Sequence, residues 1–206
     1  MDTIKMTATN FSLENFIGRD LIEVTKCNAP DISDINQKWL PTFCLNSTFK
    51  VHFKEPIHQM ILSYLRKTET SFLEYTLARE ALNKYVSTDN NMITPYFHAL
   101  SHFEICISYA WQALEIIMDL SGEKLFTPND GSDAEKHSNI HNICKHLNKE
   151  LRRNDFPIEH TGPVWLSNDG LESKDVSFSF EKMKELMESL ANYAELLSSK
   201  IPNQIN

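Results

Sequence analysis

Glycine is scarce in this chain, with 5 in 206 residues, and the 8 prolines are hardly more generous. So small a supply of turn-makers excludes a turn-rich β-sandwich and a glycine loop that cradles phosphate. The motifs that carry familiar chemistry are missing too. There is no P-loop, no GxGxxG, no serine in a glycine-flanked elbow and no DNA-reading zinc finger. No apolar run approaches the roughly 20 residues that a membrane-spanning helix needs. The N-terminal stretch 1–10 is polar, without the charged-then-apolar order of a signal peptide. A cytoplasmic chain with no membrane partner is the expectation. Cys27, Cys44, Cys106 and Cys144 are scattered, with no CxxC pair. They read as buried or inert thiols, not as disulfides or a zinc site, and no cofactor is expected.

A positive charge excess is also absent. The net charge is −8, so the chain repels polyanions on average, which excludes a broad nucleic-acid-coating role. One local cluster, Lys145, Lys149, Arg152 and Arg153, could still position a short RNA segment.

What is present is a helical pattern. Residues 1–53 form an irregular N-terminal arm, interrupted by Pro30 and Pro41, with one short helix placed at 13–22 and a strand-like alternation at 48–53. Residues 54–206 read as a helical bundle domain. Its first helix opens at Pro56 and carries Ile57, Met60, Ile61, Tyr64 and Leu65, then Phe72, Leu73, Leu77, Ala81, Leu82 and Tyr85. The second has Thr94 as N-cap and Pro95 at the first helical position. Tyr96, Leu100, Phe103, Ile107, Trp111, Leu114 and Met118 form its stripe, and Gly122 its C-cap. The third runs from 132 to about 153, with Ile140, Ile143, Leu147 and Leu151 facing the core. Residues 154–178, with Pro157, Gly162, Pro163 and Gly170, are expected to be irregular. Ser179 then caps a final helix reaching about 200. The fold class that follows is all-α, a bundle of four to five helices with an irregular arm.

Chemistry-bearing residues gather on the third helix. Opposite its apolar stripe, Asn142, His146, Lys149 and Arg153 make a polar ridge. An imidazole moves protons near neutral pH and a cation holds phosphate, so the ridge suits acid–base work on a phosphodiester. A plain solvated helix face is the alternative. His137, His141 and Cys144 recur at i, i+4 and i+7, a spacing that would serve a zinc sensor if another element supplied a ligand. Glu104 lies inside the apolar stripe of the second helix. There it must find a partner, such as a histidine or arginine of the third helix, or change its pKa, unless it sits at the edge of the stripe and reaches water. Finally, Arg153, Asn154 and His160 flank the segment that follows the third helix, as phosphate clamp and general base or as a helix end suited to the macrodipole.

A late helix carrying Arg-Asn-x-x-x-His, or more loosely Arg and His separated by four to six residues, resembles the HEPN superfamily. Two segments compete for that motif. His141-Asn142-Ile143-Cys144-Lys145-His146 keeps Asn and His on a helix but has His141 where arginine belongs; Arg153-Asn154 through His160 keeps all three residue types, with Pro157 between them. The first continues into 164–172, similar to the tail of bacterial relatives with an Asn-x-x-Lys-His element. The resemblance covers roughly 55–200. It implies a homodimer in which the motifs of two protomers meet, metal-independent cleavage of RNA, and a setting in bacterial stress response or phage defence. The His146 or His160 ring would act as base, Arg153 as clamp, and Asn142 or Asn154 as orienting group. The imperfect motif also leaves open a catalytically inactive HEPN-like module that binds a protein partner.

Overall fold

The computed structural model describes residues 21, 24–35, 37–49, 53–88, 92–153 and 160–199. Two long helices, α2 (Ile57–Ser87) and α3 (Ile93–Ser121), form its frame, following α1 (Trp39–Phe49). They pair antiparallel. Lys67 sits over the Tyr109 ring, Glu74 meets His102, Tyr75 meets Phe103 and Tyr85 meets Tyr96, so position along one helix falls as it rises along the other. The seam is aromatic. Tyr75, Tyr85, Tyr96 and Phe103 are fully or almost fully buried along it, as are Tyr64 and Phe72 of α2, and each such ring removes a large apolar area from water.

Buried tyrosines need partners for their hydroxyls, and here those hydroxyls fasten other elements to α2. Tyr75 Oη donates to the Pro30 carbonyl at 2.9 Å, Tyr85 Oη to that of Leu21, and Arg79 Nε to that of Ala29 at 2.9 Å. Leu21, Val24, Ala29 and Ile32 thereby join the one core shared by the helices. Tyr64 Oη reaches the Leu190 carbonyl of the last helix, α6 (Phe180–Ser199), at 2.7 Å. α6 enters as the sequence predicts: Ser179 Oγ accepts from Lys182 N, and Phe180, Met183, Met187, Leu190, Ala194 and Leu197 are buried.

Several expectations change. The stretch around Pro41 is helical, not irregular: Pro41 lies in the first turn of α1, where its missing N–H costs no helix bond. Glu69 accepts the Leu40 N–H at 2.8 Å, and Trp39 packs edge-on to Phe72. Thr48 and Phe49 belong to this helix instead of a strand, residues 50–52 lie outside the described residues, and so does most of the helix expected at 13–22. The second helix begins two residues early, at Ile93, with Met92 as N-cap and Pro95 still in the first turn; Gly122 is left-handed (φ 71°) and caps it as expected.

The third predicted helix is two. α4 (Asp133–Lys145) ends where His146 leaves helical geometry (φ −110°, ψ 28°), and the His146 carbonyl accepts from Lys149 and Glu150 to begin α5 (Leu147–Arg153). The phase shift breaks the expected stripe. Ile140 is buried, but Leu147 and Leu151 are 37% and 45% exposed, while His137 and His141 turn inward. Ser132 caps α4 in a capping box: its Oγ accepts from Glu135 N, and the Glu135 carboxylate returns to Asn129 N and Gly131 N.

Within the stretch expected to be irregular lies an antiparallel sheet, β1 (Val164–Leu166), β2 (Gly170–Ser173) and β3 (Ser177–Ser179), in that spatial order. Strands of three or four residues are too short for a period-two signal, and β1 is buried at all three positions. The turn between β1 and β2 grips the N-terminal segment: Asn168 Oδ1 accepts from Thr25 N and Lys26 N, and Asn28 Nδ2 donates to Asp169 Oδ1. Tyr96 Oη accepts from Leu166 N at 3.1 Å and ties the sheet to α3.

At Gly170 the β3 backbone leaves no room for a side chain. A Cβ there would run into the Phe178 carbonyl and lie 2.7 Å from Ser179 Cα, both backbone. Gly170→Ala is expected to destabilise the fold by about 2 kcal/mol, the usual cost of overpacking, as a lower urea midpoint at unchanged slope.

Candidate functional site

Glu104, Ser108 and Gln112 recur at four-residue steps along α3 and so make one polar line on that helix. With Ile105 and Tyr109 of α3, Lys67 of α2, and Cys144 and Lys145 at the end of α4, they line an open cleft of about 350 Å3. The antiparallel register of α2 and α3 brings Lys67 here, with its Nζ 4.4 Å from the centroid of the Tyr109 ring. Burial, and secondarily Arg66, lowers the pKa of Lys67.

Glu104 is the outlier. It is half-buried, and no hydrogen bond or ion pair reaches it among the described residues. Desolvation therefore acts unopposed and raises its carboxyl to about 7. The expectation of a partner or a shifted pKa resolves toward the shift. The groups of α4 that share its cleft are Cys144 and Lys145, with no histidine or arginine among the lining residues. The Cys144 thiol is itself pushed up, by burial and then by the Glu104 charge, and the buried Cys106 thiol likewise by burial.

Of the other predicted residues, Asn142, His146, Lys149, Arg152, Arg153 and His160 are not among those that line this cleft. Asn142 is exposed on α4, its Nδ2 3.4 Å from Ser138 Oγ. His146 is exposed at the α4–α5 break, next along the chain from Lys145. Lys149 and Arg152 are exposed on α5, and Arg153 is its last residue. Asn154 lies outside the described residues. His160 stacks on Trp165 of β1, ring centroids 3.7 Å apart, so the ring face is occupied by packing. Sequence reasoning missed Lys67, Ser108, Tyr109 and Gln112, although the 104–108–112 spacing could have found two of them.

His137 and His141 serve packing. His137 is 1% exposed, stacks on Phe178, meets Trp111 edge-on, and donates from Nε2 to the Ile107 carbonyl at 3.0 Å. Burial drives its pKa to about 4, with the carbonyl acting the other way and His141 adding to the fall. His141 stacks on Trp111 and is also lowered, chiefly by burial. Among the described residues no three His, Cys, Asp or Glu side chains are placed to hold a metal ion, which removes the geometric basis for a sensor built on His137, His141 and Cys144. No described helix is long and apolar enough to cross a membrane.

Glu104 and His137 pull stability in opposite directions. Between 4.5 and about 7 folded Glu104 holds a proton that the unfolded chain has released, so its contribution falls as pH rises through that window. Between about 4 and 6.5 the unfolded chain protonates His137 while the fold does not, so that contribution rises with pH. Glu104→Gln removes the first slope alone. Urea unfolding should find it more stable than the parent at pH 8 by about 2 kcal/mol, allowing for residual solvation of the carboxylate, with the gain fading toward pH 4.5.

Compared with known proteins, the chain matches no family model, no curated protein and no solved structure.

Proposed function

We propose that the chain is a HEPN-like, metal-independent endoribonuclease that works as a homodimer and uses the cleft at Glu104. The observation that carries this reading is a carboxyl with a pKa of about 7 in a cleft that also holds Lys67 and Lys145. At neutral pH such a group exists in both protonation states, which general acid–base catalysis requires. Two ammonium groups beside it offset the charge of a phosphodiester.

In this mechanism His146 takes the proton of a ribose 2′-hydroxyl, whose oxygen attacks phosphorus. Protonated Glu104 gives its proton to the departing 5′-oxygen. The products are a 2′,3′-cyclic phosphate and a free 5′-hydroxyl, with no metal and no net proton change. Lys67 and Lys145 hold the non-bridging oxygens, Asn142 orients the scissile group, and Arg153 of α5 adds a phosphate contact. Of the two competing segments, Asn142 to His146 is preferred because Cys144 and Lys145 within it line the cleft, whereas the His160 ring is stacked on Trp165.

A second reading, a non-catalytic HEPN-like module for a protein partner, draws on the exposed side chains of Ile105, Leu147 and Leu151. Incubation with a mixed RNA pool in EDTA separates the two. The parent protein should cleave, His146→Ala and Glu104→Gln should each lose about a hundredfold or more, and Arg153→Ala combined with His160→Ala should retain more activity than either. Intact RNA with a well-folded parent would overturn the nuclease reading and favour the partner-binding one, and cleavage indifferent to both His146→Ala and Glu104→Gln would overturn the site assigned to it.

A further inference from the structure

α5 stands apart from the core. None of its described side chains joins the apolar cluster that the other helices share, and Leu147 and Leu151 are exposed. Lys145, His146, Lys149 and Arg152 are exposed as well. The break at His146 turns this segment outward, so that leucines spaced for a core face solvent.

At about 100° per residue, Leu147 and Leu151 share one side of α5, with Lys149 and Arg152 on the other. Residues 145–153 carry four cations, Lys145, Lys149, Arg152 and Arg153, against one acid, Glu150, in a chain whose net charge is −8. Leucines on one face and cations on the opposite one make the pattern of a helix that lies in a membrane interface. Its apolar side enters the acyl boundary, and its long basic side chains reach the headgroups.

Possible surfaces differ in what they offer the two faces. An RNA backbone takes the cations and leaves the leucines in water. A second copy meeting this one across a two-fold axis sets Lys149 and Arg152 against like charges. A folded partner needs about 800 Å2 from each side, whereas α5 is only roughly 10 Å long. An acidic bilayer satisfies both faces and demands no matching shape. The acidity of the rest of the chain does not prevent the contact, because at about 0.1 M salt charges act over about 10 Å and the residues at the surface dominate. No described helix is long and apolar enough to cross a membrane, and a peripheral contact needs none.

We infer that α5 and the end of α4 form a peripheral docking surface for a bilayer rich in anionic phospholipid. Leu147 and Leu151 enter the interface, and Lys145, Lys149 and Arg152 meet the headgroups. The surface stands whether or not the chain cleaves RNA.

The test is cosedimentation of the full chain with vesicles of phosphatidylcholine alone and of phosphatidylcholine with about 30% phosphatidylserine. The parent should sediment with the acidic vesicles at about 1 mM lipid, stay in solution with the neutral ones, and be released by about 0.5 M salt. Leu147→Ser with Leu151→Ser should bind the acidic vesicles about tenfold more weakly, and Lys149→Glu with Arg152→Glu about a hundredfold more weakly. All four side chains are exposed, so both variants should keep the helical circular dichroism of the parent. Failure to sediment with acidic vesicles, or equal binding to neutral ones, would overturn the proposal. Vesicle binding that the leucine variant leaves unchanged would overturn it too and point to a polyanion such as RNA. Sedimentation velocity of the same proteins covers the remaining occupant: a dimer that the leucine variant dissociates would assign this face to a second copy and not to lipid.

Discussion

The aromatic seam between α2 and α3 is the constraint on which the rest of the molecule depends. Its rings supply apolar burial, and its tyrosine hydroxyls, unable to stay unpaired in a core, reach out to fixed carbonyls on other segments. One set of side chains therefore holds the helical hairpin together, docks the N-terminal segment and anchors α6. Each such hydrogen bond is modest, about 1 kcal/mol net, but its loss would strand a carbonyl or hydroxyl in the interior.

The same seam creates the cleft. Because α2 and α3 run antiparallel in a fixed register, Lys67 arrives opposite Tyr109, one turn beyond Ile105 and next to the polar line of Glu104, Ser108 and Gln112. The end of α4 closes the other wall with Cys144 and Lys145. Glu104 is thus held half out of water by packing that exists for other reasons, and its high pKa follows from that position. Above about pH 7 the fold tolerates an ionised carboxylate there, with no partner among the described residues. A residue that costs stability in place is a reasonable signature of function.

How far the sequence could be read depended on element length. Stripes spanning many turns, as in α2, α3 and α6, were legible with their caps at Gly122 and Ser179, because a 3.6-residue period repeated often enough to be unmistakable. The sheet was not, since β1, β2 and β3 offer three or four residues each and β1 is buried throughout. The break at His146 carries no proline or glycine to announce it, so Leu147 and Leu151 looked like core and proved exposed. At the site, Glu104 stood out in sequence as a charge in an apolar stripe. Lys67 could not have been found that way, because its place beside Tyr109 is a product of helix–helix register.

The central claim is that packing alone holds Glu104 near neutrality, and direct titration of its side-chain carboxyl by carbon-detected NMR tests it most plainly. With Glu104→Gln used to assign the signal, an inflection near pH 7 is expected in the folded parent. An inflection in the ordinary carboxylate range, about 4 to 4.5, would contradict it and leave the cleft without a group able to exchange protons at neutral pH from that position.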